Sequence, residues 1–480
     1  MRQADKYKKV TLGVERVCAK RDSSWRIAKK NALLSAAKAG LVLVQTCIFY
    51  FVWVVGYREY RLETWVMWQD IFLVGIYFAL TCVLGRVYGG YQISRISIGE
   101  SIYSIAVAQV FVIFFQYLVL CITTFRILNP VMMLVLLVLE IFVSSLWAPL
   151  AKKIYGSLFP ARVTYIIYQD SESYREIKPL YNMNWKFSIQ GALDLSEGLD
   201  CILGKISQAD AVFLCGLHSS DRNTVLKYCI DHGIQVYIRP KIGDLLINGS
   251  SQMQLMNMLI LHCGRNRTSF LYQCVKRLMD ITMSGLTLIV ISPIMFVVGL
   301  AIHIYDRGPA FYKQVRLTKD GKQFEILKFR SMREDAEKDG VARLATEGDD
   351  RITPIGRFIR KVRLDELPQL INILKGDMSI VGPRPERPEI AAQYEKDMPE
   401  FGLRLQAKAG LTGYAQVYGK YNTRPYDKLQ MDLLYIANQS ILLDWKIIFA
   451  TVKVLFMPES TQGIAAGQLT ASGKSENTTH

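Results

Sequence analysis

Residues 280–305 read DITMSGLTLIVISPIMFVVGLAIHIY. The stretch is long and apolar enough to cross a hydrocarbon layer, which takes about 20 residues, but Ser292-Pro293 falls near its middle. Proline lacks a backbone donor and collides with the preceding turn, so a break or kink is expected there. The backbone groups it releases need partners, and the Ser292 hydroxyl is a candidate. The course of this segment decides where the following residues lie. An ordinary kinked span sends 306–480 to the far face of the membrane. A re-entrant helix over 278–305 enters and leaves on one face and keeps the flanking soluble regions together.

Upstream are four further apolar runs, at 37–56, 70–85, 102–124 and 130–150, the second being the shortest. Basic residues gather before the first (Lys6, Lys8, Lys9, Lys20, Arg21, Lys29, Lys30), between the second and third (Arg86, Arg95) and after the fourth (Lys152, Lys153). The positive-inside rule then places the N-terminus and the residues after Lys152 in the cytoplasm. The expectation is a basic cytoplasmic segment at 1–35 and a four-span α-helical bundle at 36–152. The first apolar run is too long for the core of a cleaved signal and reads as a retained anchor. Over 480 residues, a formal charge of +16 beside 51% hydrophobic residues points to a membrane protein on an anionic leaflet. Nucleic acid is not an expected partner, since no recognition motif accompanies the charge. The nine cysteines form no CxxC pair, and Cys47, Cys82 and Cys121 fall within apolar runs, so neither a disulfide framework nor a zinc site is expected.

Residues 160–264 read as a soluble, Rossmann-like α/β module. VTYIIY (163–168), FSI (187–189), AVFLC (211–215) and IQVYI (234–238) are buried-strand patterns, and 222–232 is helix-like, which favours a parallel sheet. The first strand runs into Gln169-Asp170-Ser171-Glu172 with no glycine-rich turn for a pyrophosphate. A scaffold or regulatory role is the default for this module.

Residues 306–457 are rich in charge. A helix is expected at Thr353-Pro354, with threonine as cap and proline at its first position. Ile355, Phe358, Ile359 and Val362 mark one stripe of it; Leu367, Leu370, Ile371 and Leu374 mark another that ends near Lys375-Gly376. Either stripe suits a core or the lipid headgroups. Asp365-Glu366 would then lie at or just before a helix start, close to Arg360 and Arg363. Such a carboxylate is either a cap with a surface ion pair or a nucleophile aimed at phosphorus, which needs cations against anionic repulsion. Gly382-Pro383-Arg384-Pro385 offers one arginine held between prolines, and Lys328-Phe329-Arg330-Ser331-Met332 two more cations.

Together with KRLMD (276–280), GPAFYKQVRL (308–317), DDRITPIGRFIR (349–360), LDELPQLINILKGDMSIVGPRP (364–385), GLTGYAQV (410–417) and DLLYI (432–436), these stretches resemble the bacterial sugar transferase family, the monotopic phosphoglycosyl transferases. The four-span N-terminus and α/β module resemble its long subgroup, which transfers hexose-1-phosphate to a polyprenyl phosphate at the start of capsule or exopolysaccharide repeat units.

The resemblance implies a mainly α catalytic domain at 271–457 with a re-entrant helix and amphipathic interfacial helices. It implies Asp365 as nucleophile on a UDP-sugar, with Glu366 as metal ligand or acid/base group and Mg²⁺ as a cofactor held by Asp365 and Glu366. Arg360 and Arg384 are the implied phosphate contacts; Arg363, Lys328 and Arg330 are substrate-binding candidates. UMP would leave, undecaprenyl phosphate would accept the sugar-phosphate, and galactose or glucose is the expected sugar. The setting implied is the bacterial cytoplasmic membrane, with the catalytic domain on the cytoplasmic face and a homodimer through the N-terminal parts. Departures from the family pattern are Thr318 for a glycine, Ala409 for a proline, Tyr414 for a tryptophan, and Lys420-Tyr421-Asn422. Beyond 458 the composition suits a disordered tail. The competing functions are an N-acetylhexosamine-phosphate transferase, a polytopic transferase (which needs about ten spans), and a non-catalytic scaffold.

Overall fold

The computed structural model describes residues 24–60, 66–94, 96–255, 258–265, 268–333, 351–419 and 423–455. Lys6, Lys8, Lys9, Lys20, Arg21, Arg95, Lys420-Tyr421-Asn422 and the tail from 458 lie outside the described residues. The chain forms two compact units, Met1–Arg239 and Pro240–His480.

The first unit opens with α1 (Ser24–Gly56), α2 (Val66–Val87), α3 (Ile98–Thr124) and α4 (Val131–Leu158). Each contains one of the four apolar runs, and each is long and apolar enough to cross a membrane. Their pattern is inverted relative to a soluble bundle: Leu43, Phe51, Phe72 and Leu134 face outward, while Gln45, Gln116, Glu140 and Ser144 are buried. That is the arrangement lipid demands, since hydrocarbon accepts apolar side chains and rejects polar ones. Ser97 caps α3 by accepting the Glu100 N–H at 3.2 Å.

The α/β module follows. Strands β1 (Arg162–Tyr168), β2 (Phe187–Asp194), β3 (Ala211–Cys215) and β4 (Gln235–Ile238), joined in turn by helices α5 (Ser171–Ile177), α6 (Leu199–Ile206) and α7 (Ser219–Asp231), form a parallel sheet in the order β2-β1-β3-β4. Strand β2 runs past the expected Phe187–Ile189 triplet because its β1 pairing resumes at Gly191 after a register shift. The sheet is complete at Ile238. The segment read as the end of the module, 240–264, instead belongs to the second unit. It holds α8 (Ile242–Asn248) and the antiparallel strands β5 (Ser251–Leu255) and β6 (Met258–His262), and Ile242 and Leu245 share a core with Leu429 and Leu433.

In the second unit, α9 (Phe270–Asp306) is one continuous helix of 37 residues. Helical structure continues through Ser292-Pro293, as it does through a proline kink. The carbonyl that Pro293 cannot serve is that of Ile289, four residues back, and Ser292 Oγ donates to it at 2.9 Å. The first half of α9 is tied to the core of the second unit by charged side chains. Arg277 donates to the terminal carbonyls of Ile373 (2.6 Å) and Leu374 (2.8 Å). Asp280 accepts from Ile380 N–H at 3.0 Å and Ser379 Oγ at 3.2 Å. Lys276 pairs with buried Asp444 at 2.7 Å.

Around this helix lie an antiparallel hairpin, β7 (Phe311–Leu317) and β8 (Gln323–Phe329), and a parallel pair, β9 (Ser379–Val381) and β10 (Gly410–Thr412). Gly382 follows β9 where a Cβ would strike the Lys408 carbonyl oxygen, and a Cβ on Gly410 would strike the Gly382 nitrogen. This close backbone crossing explains the glycines that open both motifs.

Candidate active site

The site is assembled by the alternation of β8. Phe329 turns into a cluster with Ile302 and Ile359, so its neighbour Lys328 turns the other way. Helix α10 (Pro354–Lys361) starts as the sequence suggests, with Thr353 Oγ1 accepting the Gly356 N–H at 2.9 Å and Pro354 at its first position. The helix buries Ile359 against that cluster. Arg363 then adopts φ 54°, reversing the chain into a 3₁₀ turn, Leu364–Glu366. Helix α11 begins only at Gln369. Asp365 therefore sits in the 3₁₀ turn, four residues before that helix, so it is the turn and not an α-helical N-terminus that presents it.

Glu366 Oε1 takes two cations: Arg384 Nη2 at 2.8 Å and Lys328 Nζ at 3.3 Å. Burial alone would raise the Glu366 carboxyl, but the charges of Arg384 and Lys328, with Arg363 beyond them, hold it well below the usual carboxylate range. Asp365 goes the other way. Burial and the neighbouring Glu366 charge push it up to about 6, against the pull of Lys328, Arg360 and Arg384. Two adjacent carboxylates are thus driven apart, one locked as an anion and one poised near neutrality. Lys328 is lowered by burial despite Glu366, whereas Arg384 is raised by the Glu366 charge.

Of the residues singled out in sequence, Asp365, Glu366, Lys328, Arg384, Arg360 and Arg363 converge. Arg330 is buried elsewhere, with its guanidinium where a Cβ on Gly308 would be and its backbone N–H bonded to the Ala310 carbonyl at 2.9 Å. Ser292 and Pro293 lie within α9.

Two arginines escaped the sequence reading. Arg404 is buried, pairs with buried Asp432 at 2.7 Å, and donates from Nη2 to the Arg384 carbonyl at 3.0 Å. It therefore fixes the backbone that carries Arg384. Arg316 donates from Nη1 to the Pro385 carbonyl at 3.1 Å, and burial lowers its guanidinium to about 10. Its place within KQVR was the available signal; Arg404 carried none. Arg360 Nη1 and Arg316 Nε are buried without a hydrogen-bond partner among the described residues. Such donors are costly to bury and suit an anionic ligand.

Among the described residues, no group of three His, Cys, Asp or Glu is placed to hold a metal. Magnesium nevertheless commonly takes one or two carboxylates and completes its shell with substrate phosphate and water. Asp365 and Glu366 fit that donor set.

Two departures from the family pattern meet here. The Ala409 N–H donates to Thr318 Oγ1 at 3.1 Å, and Thr318 Oγ1 donates to the Asp377 carbonyl at 2.9 Å. A proline at 409 has no such donor, and a glycine at 318 has no such acceptor. A double-mutant cycle of Thr318→Gly and Ala409→Pro, read by thermal or denaturant unfolding, is expected to give a coupling of about 1 kcal/mol, with the double variant less damaged than the sum. Strict additivity would dissolve the pairing. Tyr414, in the place of a tryptophan, lies against Tyr418 with centroids 4.5 Å apart.

A family model described as bacterial sugar transferase matches residues 271–458. The UDP-N-acetylgalactosamine-undecaprenyl-phosphate N-acetylgalactosaminephosphotransferase of Aeromonas hydrophila is 39% identical over 233 residues, which are 48% of this chain and 54% of that protein. The UDP-glucose:undecaprenyl-phosphate glucose-1-phosphate transferase of Klebsiella pneumoniae is 44% identical over 38% of this chain and 41% of its own length. A protein of the same printed activity from Caulobacter vibrioides is 38% identical over 38% of this chain and 71% of its own. The chain spans about half the length, or less, of the first two relatives.

Proposed function

Because the chain belongs to the bacterial sugar transferase family, we propose that it transfers a sugar-1-phosphate from a UDP-sugar to undecaprenyl phosphate through a covalent bond to Asp365. The observation that carries this reading is the split pair: a poised Asp365 beside an anion locked by Arg384 and Lys328.

In the first half-reaction an Asp365 carboxylate oxygen attacks the sugar-bearing phosphorus, and the bond to the departing UMP oxygen breaks. In the second, an oxygen of undecaprenyl phosphate attacks the same phosphorus and the Asp365 oxygen leaves. Arg360 and Arg316 offer their unpaired N–H groups to phosphate oxygens; Arg384 and Lys328 offset the charge that gathers there. Magnesium bound by Asp365, Glu366 and phosphate would supply further neutralisation of the two polyanions. Glu366 is too firmly ionised to serve as an acid near neutral pH, so we assign it to positioning and metal binding.

The named relatives act on glucose and on N-acetylgalactosamine donors, so UDP-glucose and UDP-N-acetylgalactosamine head the candidate donors, with UDP-galactose next. Purified full-length protein in nanodiscs with Mg²⁺ and undecaprenyl phosphate is expected to release UMP with one of these. A folded sample silent with every UDP-sugar would favour the scaffold.

Asp365 must be ionised to attack, so kcat/KM is expected to fall as pH drops through about 6 and to level off above it. Lys328→Gln removes a charge that favours the carboxylate and should move this limb to higher pH. An acid limb that stays put in the variant would remove Lys328 from the site's electrostatics.

The same reading puts the catalytic unit on the cytoplasmic face of the bacterial inner membrane. Four upstream spans and basic flanks support a re-entrant course for α9, and helical structure that continues through Pro293 fits either course. We side with re-entry because nucleotide-sugars are cytoplasmic. A cysteine at exposed Lys313 should then react with an impermeant maleimide only in inside-out vesicles; labelling in right-side-out vesicles alone would mean a crossing.

A further inference from the structure

Each helix of the N-terminal bundle contributes a fully buried polar side chain to one layer. They are Gln45 from α1, Tyr77 from α2, Gln116 from α3 and Glu140 from α4, none with any exposed surface. The layer is defined by their bonds. Gln116 Nε2 donates to the Leu73 carbonyl at 3.1 Å, one turn from Tyr77. The Tyr77 hydroxyl donates to Glu140 Oε1, and Gln45 Nε2 donates to Ser144 Oγ at 3.4 Å, one turn from Glu140.

These bonds also fix which atoms are left over. Ser144 Oγ gives its single proton to the Glu140 carbonyl at 2.7 Å, so it can only accept from Gln45. The Leu73 carbonyl likewise can only accept. Both amides must present N–H₂ to these partners, which leaves Gln45 Oε1 and Gln116 Oε1 as bare acceptors. With Glu140 Oε2 they are buried and, among the described residues, without a hydrogen-bond partner. Tyr77 and Tyr91 are the titratable groups that act with Glu140, the remaining members of the layer are the neutral amides of α1 and α3, and among the described residues no lysine or arginine acts on it. Fully buried Leu73, Val112, Leu120 and Leu136 flank the layer along the helices, and Phe49 stacks on Tyr77 at 4.3 Å.

Water could donate to the three oxygens but would leave a carboxylate uncompensated inside hydrocarbon, where ionisable groups persist when paired or functional. We propose that the bundle interior binds one monovalent cation, a proton or a sodium ion, at Glu140 with the Gln45 and Gln116 amide oxygens around it. The site is separate from the transferase chemistry and stands or falls without it.

The test uses full-length protein in detergent micelles, with sodium chloride titrated against choline chloride at constant ionic strength. Sodium-22 retention and a Tm rise of about 5 °C at saturation, both lost in Glu140→Gln, identify sodium. Without a sodium effect, a protonated-carboxyl infrared band at neutral pH that disappears in Glu140→Gln identifies the proton. Should Glu140→Gln fail to fold, Gln116→Leu keeps the carboxyl and is expected to weaken retention or shift the band. An ionised Glu140 with no retained sodium and no Tm response overturns the proposal.

Discussion

Replacing Asp365 with asparagine is expected to lower UMP release by about 10³- to 10⁴-fold while leaving the fold intact. The two halves of that statement have one cause. The Asp365 carboxyl is raised above its ordinary value, so its ionised form is disfavoured by the folded protein, chiefly through burial and the Glu366 charge. Ionisation at neutral pH therefore works against stability, and the neutral amide relieves it. The Tm of Asp365→Asn should stay the same or rise. A variant that loses both activity and stability would make Asp365 a structural residue; one that keeps activity would remove it from the chemistry.

Arg384→Ala is expected to cost about 10²- to 10³-fold in kcat/KM, the scale seen when one preorganised donor to a developing charge is removed. Arg384 is partner to Glu366 and, in the proposed reaction, the cation beside the phosphorus, on a backbone fixed by Arg404 and the prolines on either side. Arg384→Lys restores charge without the guanidinium fork and should recover only part of the loss. Full recovery would reduce its role to charge alone. If Arg384→Ala changed only stability, Arg384 would be a strut for the loop.

Much of the architecture was legible because its signals are local. The apolar runs carry the bundle helices, Thr353-Pro354 starts α10 by its own capping chemistry, and four apolar stretches make the parallel sheet. The acidic pair and Gly382-Pro383-Arg384-Pro385 were likewise visible as neighbours in sequence. What was not legible depends on tertiary partners. Strand β2 runs to Asp194 only because β1 goes on pairing with Gly191–Asp194 after a register shift. Residues 240–264 sort with the second unit because Ile242 and Leu245 find their core there. Asp365 lies in a 3₁₀ turn because Arg363 reverses the chain, which the stripe around it did not announce. Arg404 looks like any surface arginine until Asp432, 28 positions on, is seen to bury it.

The covalent intermediate is the centre of the account, and it can be sought with the acceptor left out. Purified protein mixed with Mg²⁺ and its UDP-sugar, then quenched within seconds, should release about one UMP per active site and gain the mass of one sugar-phosphate on the peptide that carries Asp365. If UMP appears only when undecaprenyl phosphate is present, and no adduct forms in a sample that turns over normally, transfer is direct and Asp365 is not the nucleophile.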